Sequence, residues 1–322
     1  MIPKSGSRFS EKIMFKQKAG PRSDLIEADR GLAFEENEIV TWTVVRSAMA
    51  AAAATLALAA AQPVQAQGRL DARYGATLSG IPIGKGAWVI DIAENQYTAA
   101  ASGATAGLLR VFASGQGTSA SRGFMVSGTP VPASFAATIT SDKKTEEIRM
   151  TLGAGGVKEF VITPPPPPDP KRVPVTEEHR RGVSDPMTAS LLRVPGNGNP
   201  VGPNACKRTA SIFDGRIRYN LQFAYKRMET VKADKGYAGP AVVCAIYFVP
   251  VAGHIASRTA IKYLASQRDI EAWLAPVAGT RVLVPFRISV PTPLGLGVVQ
   301  ATQFVSVAQP RAAAAAAKPK AQ

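Results

Sequence analysis

Apolar and polar side chains alternate with a period of two through much of this chain. Ile217, Tyr219, Leu221, Phe223 and Tyr225 alternate strictly with Arg216, Arg218, Asn220, Gln222 and Ala224. That is the spacing of a strand with one face buried. Asp214-Gly215 just before it is a strong hairpin signal. Val282, Val284, Phe286, Ile288 and Val290 repeat the pattern, as do the shorter sets Trp88, Ile90, Ile92 and Ile148, Met150, Leu152. The last set runs into the turn Gly153-Ala154-Gly155-Gly156 and a returning strand over 157–162. Residues 241–251 are almost continuously apolar, which suits a strand buried on both faces. Together these patterns predict strands near 72–82, 86–92, 95–102, 116–127, 132–140, 146–152, 157–162, 209–226 (a hairpin), 241–250, 268–274, 281–290 and 297–307.

Helical signals are few. Leu108, Leu109 and Phe112 share a helical spacing over 105–112. Ser184-Asp185-Pro186 opens a short helix over 187–193, with a capping residue and Pro in the first turn. Residues 266–274 read as a strand rather than a helix, because Trp273-Leu274-Ala275 ends in Pro276. So much sheet with so little helix cannot cover both faces. The expected fold is therefore mainly β, a large antiparallel sheet curled into an open half-barrel with one or two short helices. Ile217, Tyr219, Leu221, Phe223, Tyr225, Val284, Phe286 and Ile288 are candidates to line a cavity on its concave face. The alternative for such a stripe is a filled core.

A basic residue, Arg46, precedes a 14-residue Ala- and Leu-rich run over 48–61 and then Pro63-Val64-Gln65-Ala66. This is the form of a secretory signal peptide over 46–66, cleaved after Ala66, and it predicts export to the periplasm. The run is too short and weakly apolar for a membrane span, which needs about 20 apolar residues. The preceding residues 1–45 read as an overhang or a mis-called start. Residues 67–308 form one expected β-rich domain, and 309–322 an Ala- and Lys-containing tail without a fold. A Pro-rich insert at 163–182 interrupts the domain; its prolines 164–168 favour polyproline II and the role of a spacer. Cys206 and Cys244 are the two cysteines of the chain. In an oxidising compartment an isolated pair reads as a disulfide, two buried thiols being the alternative.

The net charge of +15 favours anionic partners, such as an anionic envelope surface. The bases are scattered, with no interleaved aromatics, so nucleic acid is not expected. No cofactor or metal is expected either. Cys206, Cys244, His179 and His254 lack zinc-ligand spacing. No Gly-x-Ser-x-Gly elbow occurs, and the acids pair into no glycosidase-like couple. Gly80-Ile81-Pro82-Ile83-Gly84-Lys85-Gly86 lacks the spacing of a phosphate loop and reads as a strand–turn–strand with glycines for tight geometry. His254 with Arg258 is the best enzymatic guess, and the expectation is that the protein is not an enzyme.

Several segments resemble a bacterial envelope family, domain of unknown function 3108. They are Tyr74-Gly75-Ala76 through Gly80–Gly84, Phe213-Asp214-Gly215-Arg216-Ile217-Arg218-Tyr219 with an upstream Cys206, Asp185-Pro186-Met187-Thr188-Ala189-Ser190-Leu191-Leu192, and Trp273-Leu274 with Val284-Pro285-Phe286-Arg287-Ile288. The resemblance covers roughly 70–307. It implies a periplasmic, mostly antiparallel sheet in the style of the open barrels of lipoprotein carriers, and it brings no catalytic residues. The expected function is a non-catalytic binder of a hydrophobic or lipid-like ligand, with a lipid or lipoprotein as partner. The alternative is a structural or regulatory envelope protein that binds another protein.

Overall fold

The computed structural model describes residues 67–106, 115–141 and 144–309. The signal segment, the residues before it, residues 107–112 of the helix expected over 105–112 and the tail from 310 lie outside the described residues; Thr105 itself ends a strand.

The first seven strands form a meander in which each hairpin partner follows directly: β1 (Gly68–Leu78), β2 (Ile81–Ile92), β3 (Gln96–Thr105), β4 (Gly115–Val126), β5 (Thr129–Ser141), β6 (Lys144–Gly153) and β7 (Gly156–Thr163). After the Pro-rich segment come α1 (Pro186–Ala189), β8 (Leu192–Arg193), β9 (Arg208–Phe213), β10 (Arg218–Lys232), β11 (Lys235–Gly236), β12 (Ala238–Ala252), α2 (Thr259–Ser266), β13 (Glu271–Pro276), β14 (Val282–Thr292) and β15 (Gly295–Ala308). All belong to one sheet, ordered β7-β6-β5-β4-β3-β2-β1-β15-β14-β13-β12-β10-β9, with β8 beside β14 and β11 beside β15. The long-range pairing of β1 with β15, from Gly68↔Ala308 to Leu78↔Gly297, welds the two halves together.

The sheet curls without closing. Its edge strands β7 and β9 do not pair; residues 181–184 are strapped between them. Gly182 N–H donates to Gly155 O at 3.0 Å on one side, and Ser184 N–H donates to Ser211 O at 2.9 Å on the other. Phe160 and Phe213 meet edge to face across this gap at 5.3 Å. A carbonyl on each side, and on β9 also the Phe213 N–H that donates to Ser184 O at 3.0 Å, thus finds a partner that a free sheet edge would leave to solvent.

Two apolar clusters explain the alternation. The larger fills the concave side, with Leu70, Ile90, Ile92, Tyr97, Met150, Phe213, Phe286 and Phe304 among its members. Burying a Phe or Leu of this kind contributes about 1.5–3 kcal/mol. The second lies on the opposite face of β12 to β14, where residues 192–206 cover Val242, Cys244, Ile246, Ala272, Leu274 and Leu283. Residues Ala241 to Ile246 are accordingly buried on both faces, which is why that run shows no polar alternation. The Cys206–Cys244 disulfide pins the covering segment to β12, with Cα atoms 5.5 Å apart.

Three expectations need correction. The first hairpin turns at Ser79-Gly80, both at positive φ, and the segment 81–86 is strand. Gly84 and Gly86 are therefore not turn glycines, since the primed turn needs left-handed backbone only at its two central residues. The helix opened by Asp185 is shorter than expected, because Leu192 and Arg193 leave it to pair with Leu283 and Val282 of β14. Residues Thr259 to Ser266 are helical, ahead of a strand that begins only at Glu271. This helix has no side-chain cap to announce it. It forms from good helix formers, and its Leu264 packs on the second cluster.

Candidate functional site

On the concave side the period-two face of β2 runs Ile92, Ile90, Trp88 and then Gly86 and Gly84. Beside it, β1 offers Ala76, and β3 places Gly103 opposite Gly86 and Ala101 opposite Trp88. Toward the Ser79-Gly80 hairpin, then, the face carries almost no side-chain volume. The large residues that fill the rest of the interior stop short of it. The result is a cavity of about 580 Å³, within the usual range for small-ligand sites.

Its opposite wall is α1. Asp185 is fully buried and caps this helix: its Oδ1 accepts from Met187 N–H at 3.0 Å and Thr188 N–H at 2.9 Å. Its Oδ2 accepts from Thr188 Oγ1 and, at 3.2 Å, from Ser121 Oγ on β4. Tyr97 Oη shares a 2.5 Å hydrogen bond with Thr188 Oγ1. Burial raises the Asp185 carboxyl above the ordinary carboxylate range, and the same desolvation pushes Tyr97 up to about 12. This network fixes α1 inside the curl, so that Pro186, Met187 and Ser190 face the bare patch of β2.

The remaining lining comes from Tyr74, Trp88, Pro285, Arg287, Ile288 and Val299. Most of it is apolar, and the hydroxyls of Tyr74, Thr105 and Ser190 are already engaged. Tyr74 Oη donates to Pro285 O at 2.8 Å, and Ser190 Oγ donates to Pro186 O at 2.8 Å. A wider groove of about 950 Å³ has as much apolar wall but a far larger polar share, with Asp71, Arg73, Gln116, Thr118, Thr138 and Thr140 among its lining.

With this geometry in place, comparison places the chain in a family. The family described as "Protein of unknown function (DUF3108)" matches residues 70–302. The chain belongs to the DUF3108 family. No curated protein matches it. A solved structure titled as a beta-barrel-like protein of domain of unknown function DUF1849 from Brucella abortus is similar over 76% of this chain and 98% of that one. The two share 10% identity, with a TM-score of 0.40.

Within this DUF3108 chain the eight candidate cavity residues separate. Ile288 contributes to the cavity wall but also packs on the second cluster. Val284 and Phe286 lie in the concave core, Phe286 in contact with Phe304 at 5.5 Å. Leu221 and Phe223 pack on the second cluster, beside the disulfide, and Tyr219 stacks on Phe248 at 5.5 Å. Tyr225 is 44% exposed, and Ile217 is half-buried in the turn of the hairpin. Alternation tells that a strand has an apolar face, not which side of the sheet the face meets. Here both sides are covered. The residues missed were Tyr74, Gly84, Gly86, Trp88 and Arg287, and their only signal was a succession of small residues at alternate positions of neighbouring strands.

His254 is buried at the end of β12 with its Nδ1 unpartnered, and its carbonyl accepts from Val173 N–H at 2.9 Å. His179 lies apart from the cavity, its Nδ1 accepting from Thr176 N–H at 3.2 Å. Among the described residues no cluster of three metal-ligating side chains occurs. The Pro-rich insert is docked rather than loose: Arg172 pairs with Ile255, and Arg172 donates to Gly253 O at 2.8 Å.

Proposed function

We propose that this protein is an exported, non-catalytic binder that holds a hydrophobic or lipid-like ligand in the cavity between α1 and the bare patch of β1 to β3. The observation that carries it is the withheld volume at Gly84, Gly86, Ala76 and Ala101, in a sheet whose interior is elsewhere filled by large side chains. A core that needed only stability would close such a space, because an apolar void costs contacts on every wall. The export signal over 46–66 and the Cys206–Cys244 pair support work in an oxidising compartment of the envelope.

Native mass spectrometry of the gently purified protein, followed by solvent extraction, tests the reading. The expected result is a co-purifying apolar compound, or uptake of one by emptied protein. A folded protein that carries no such compound and takes up no apolar probe overturns it.

A further inference from the structure

Two donors in the cavity wall have no partner. Trp88 is 9% exposed and lines the cavity, and its Nε1–H is buried without an acceptor. Arg287 lines the same cavity; its Nε–H is likewise buried and unsatisfied, and its guanidinium lies 4.6 Å over the Trp273 ring. Among the described residues Arg287 makes no ion pair, whereas Arg227, three strands away on β10, pairs with both Glu229 and Glu271. The charged residues of the lining are Lys85 and Arg287, both cationic, and no carboxylate lines the cavity.

A buried donor left unpaired costs about 1–3 kcal/mol, and more when it is charged. The Tyr74, Thr105 and Ser190 hydroxyls of the same wall are satisfied within the protein, so the two unpaired buried groups stand out as donors kept for something else. Stacking on Trp273 holds the Arg287 guanidinium in place through a cation–π contact while leaving its N–H edge free of acceptors. The apolar lining accommodates a hydrocarbon chain, and the unpaired donors, the cationic Arg287 and the neutral Trp88 indole, call for an acceptor-rich, negatively charged group at its end.

The geometry points to a single-chain anionic amphiphile, such as a long-chain carboxylate, as the ligand class, with Arg287 binding the head group and Trp88 donating to it. This deepens the binding reading above and rests on it.

Displacement of Nile red from the purified, delipidated full chain tests it, with palmitate and uncharged 1-hexadecanol as competitors below their critical concentrations. Wild-type protein is expected to bind palmitate at least tenfold more tightly than hexadecanol. Arg287→Met should lower that preference below threefold while leaving hexadecanol within threefold of wild type, and Arg287→Lys should restore most of it. Equal wild-type affinity for the two competitors overturns the anionic class, and an undiminished preference in Arg287→Met overturns Arg287 as the head-group residue; both leave the binding reading intact. Failure of Nile red and both competitors to bind folded wild-type protein overturns the binding reading itself. The wild-type comparison decides the matter even where Arg287→Met does not fold.

Discussion

Glu271 shows how strongly single residues are conditioned by their neighbours in this sheet. It is 9% exposed and accepts two hydrogen bonds from Arg227, at 3.0 and 2.9 Å, with Lys226 also beside it. These partners, Arg227 first, hold its carboxyl at about 2 against an ordinary 4.5. A carboxylate depressed in this way binds protons more readily in the unfolded chain, so its contribution is complete above pH 4.5 and is lost as pH falls toward 2. Glu271→Gln is expected to destabilise the protein by about 2 kcal/mol at neutral pH. It should also flatten the loss of stability between pH 4.5 and 2. Urea denaturation at several pH values reads both effects. If the variant shows the wild-type acid slope, Glu271 is not its source.

At the scale of elements, the cavity depends on what three strands and one helix leave out. Ala101 lies opposite Trp88 on β3 and lines the cavity. Its Cβ already exists, so a larger residue there adds volume without asking the backbone to change. Ala101→Phe is expected to weaken binding of an apolar probe at least tenfold, with a thermal midpoint within a few degrees of wild type. Fluorescence titration alongside thermal melting separates this from misfolding, and unaltered binding in a folded variant would remove the cavity from consideration. The hairpin from Arg208 to Lys232 and the both-faces-buried β12 were legible as elements, because period-two alternation and an unbroken apolar run are local properties. The glycines of β2 were misread as turn residues for the same local reason: glycine is common in turns. That Gly86 lies opposite Gly103, a strand away, is visible only after pairing.

For the whole molecule, the Cys206–Cys244 bond ties the segment covering the second cluster to the sheet across a separation of 38 residues. In the loop-entropy account such a closure stabilises by about 4 kcal/mol. Cys206→Ser with Cys244→Ser should lower stability by about that amount in chemical denaturation. It should also loosen the covering segment, seen as faster amide exchange over 192–206. Slow exchange there in the double variant would show that apolar packing alone holds it. The exported form is expected to begin at Gln67, which N-terminal sequencing reads directly; a mature chain retaining residues 46–66 would contradict the signal.

The strand periodicity, the scarcity of helix, the cysteine pair and the need for so large a sheet to curl all follow from the order of residues along the chain. Each depends on spacing or composition, which pairing does not alter. Which face of a strand meets the concave core was not readable in the same way. Leu221 and Phe223 of the stripe met the second cluster instead, because residues 192–206 bury the second side of the sheet. The site was hidden for a related reason. A cavity is an absence of side chains summed over β1, β2, β3 and α1, and Trp88 and Arg287 become unpaired donors only when folding brings them to its wall.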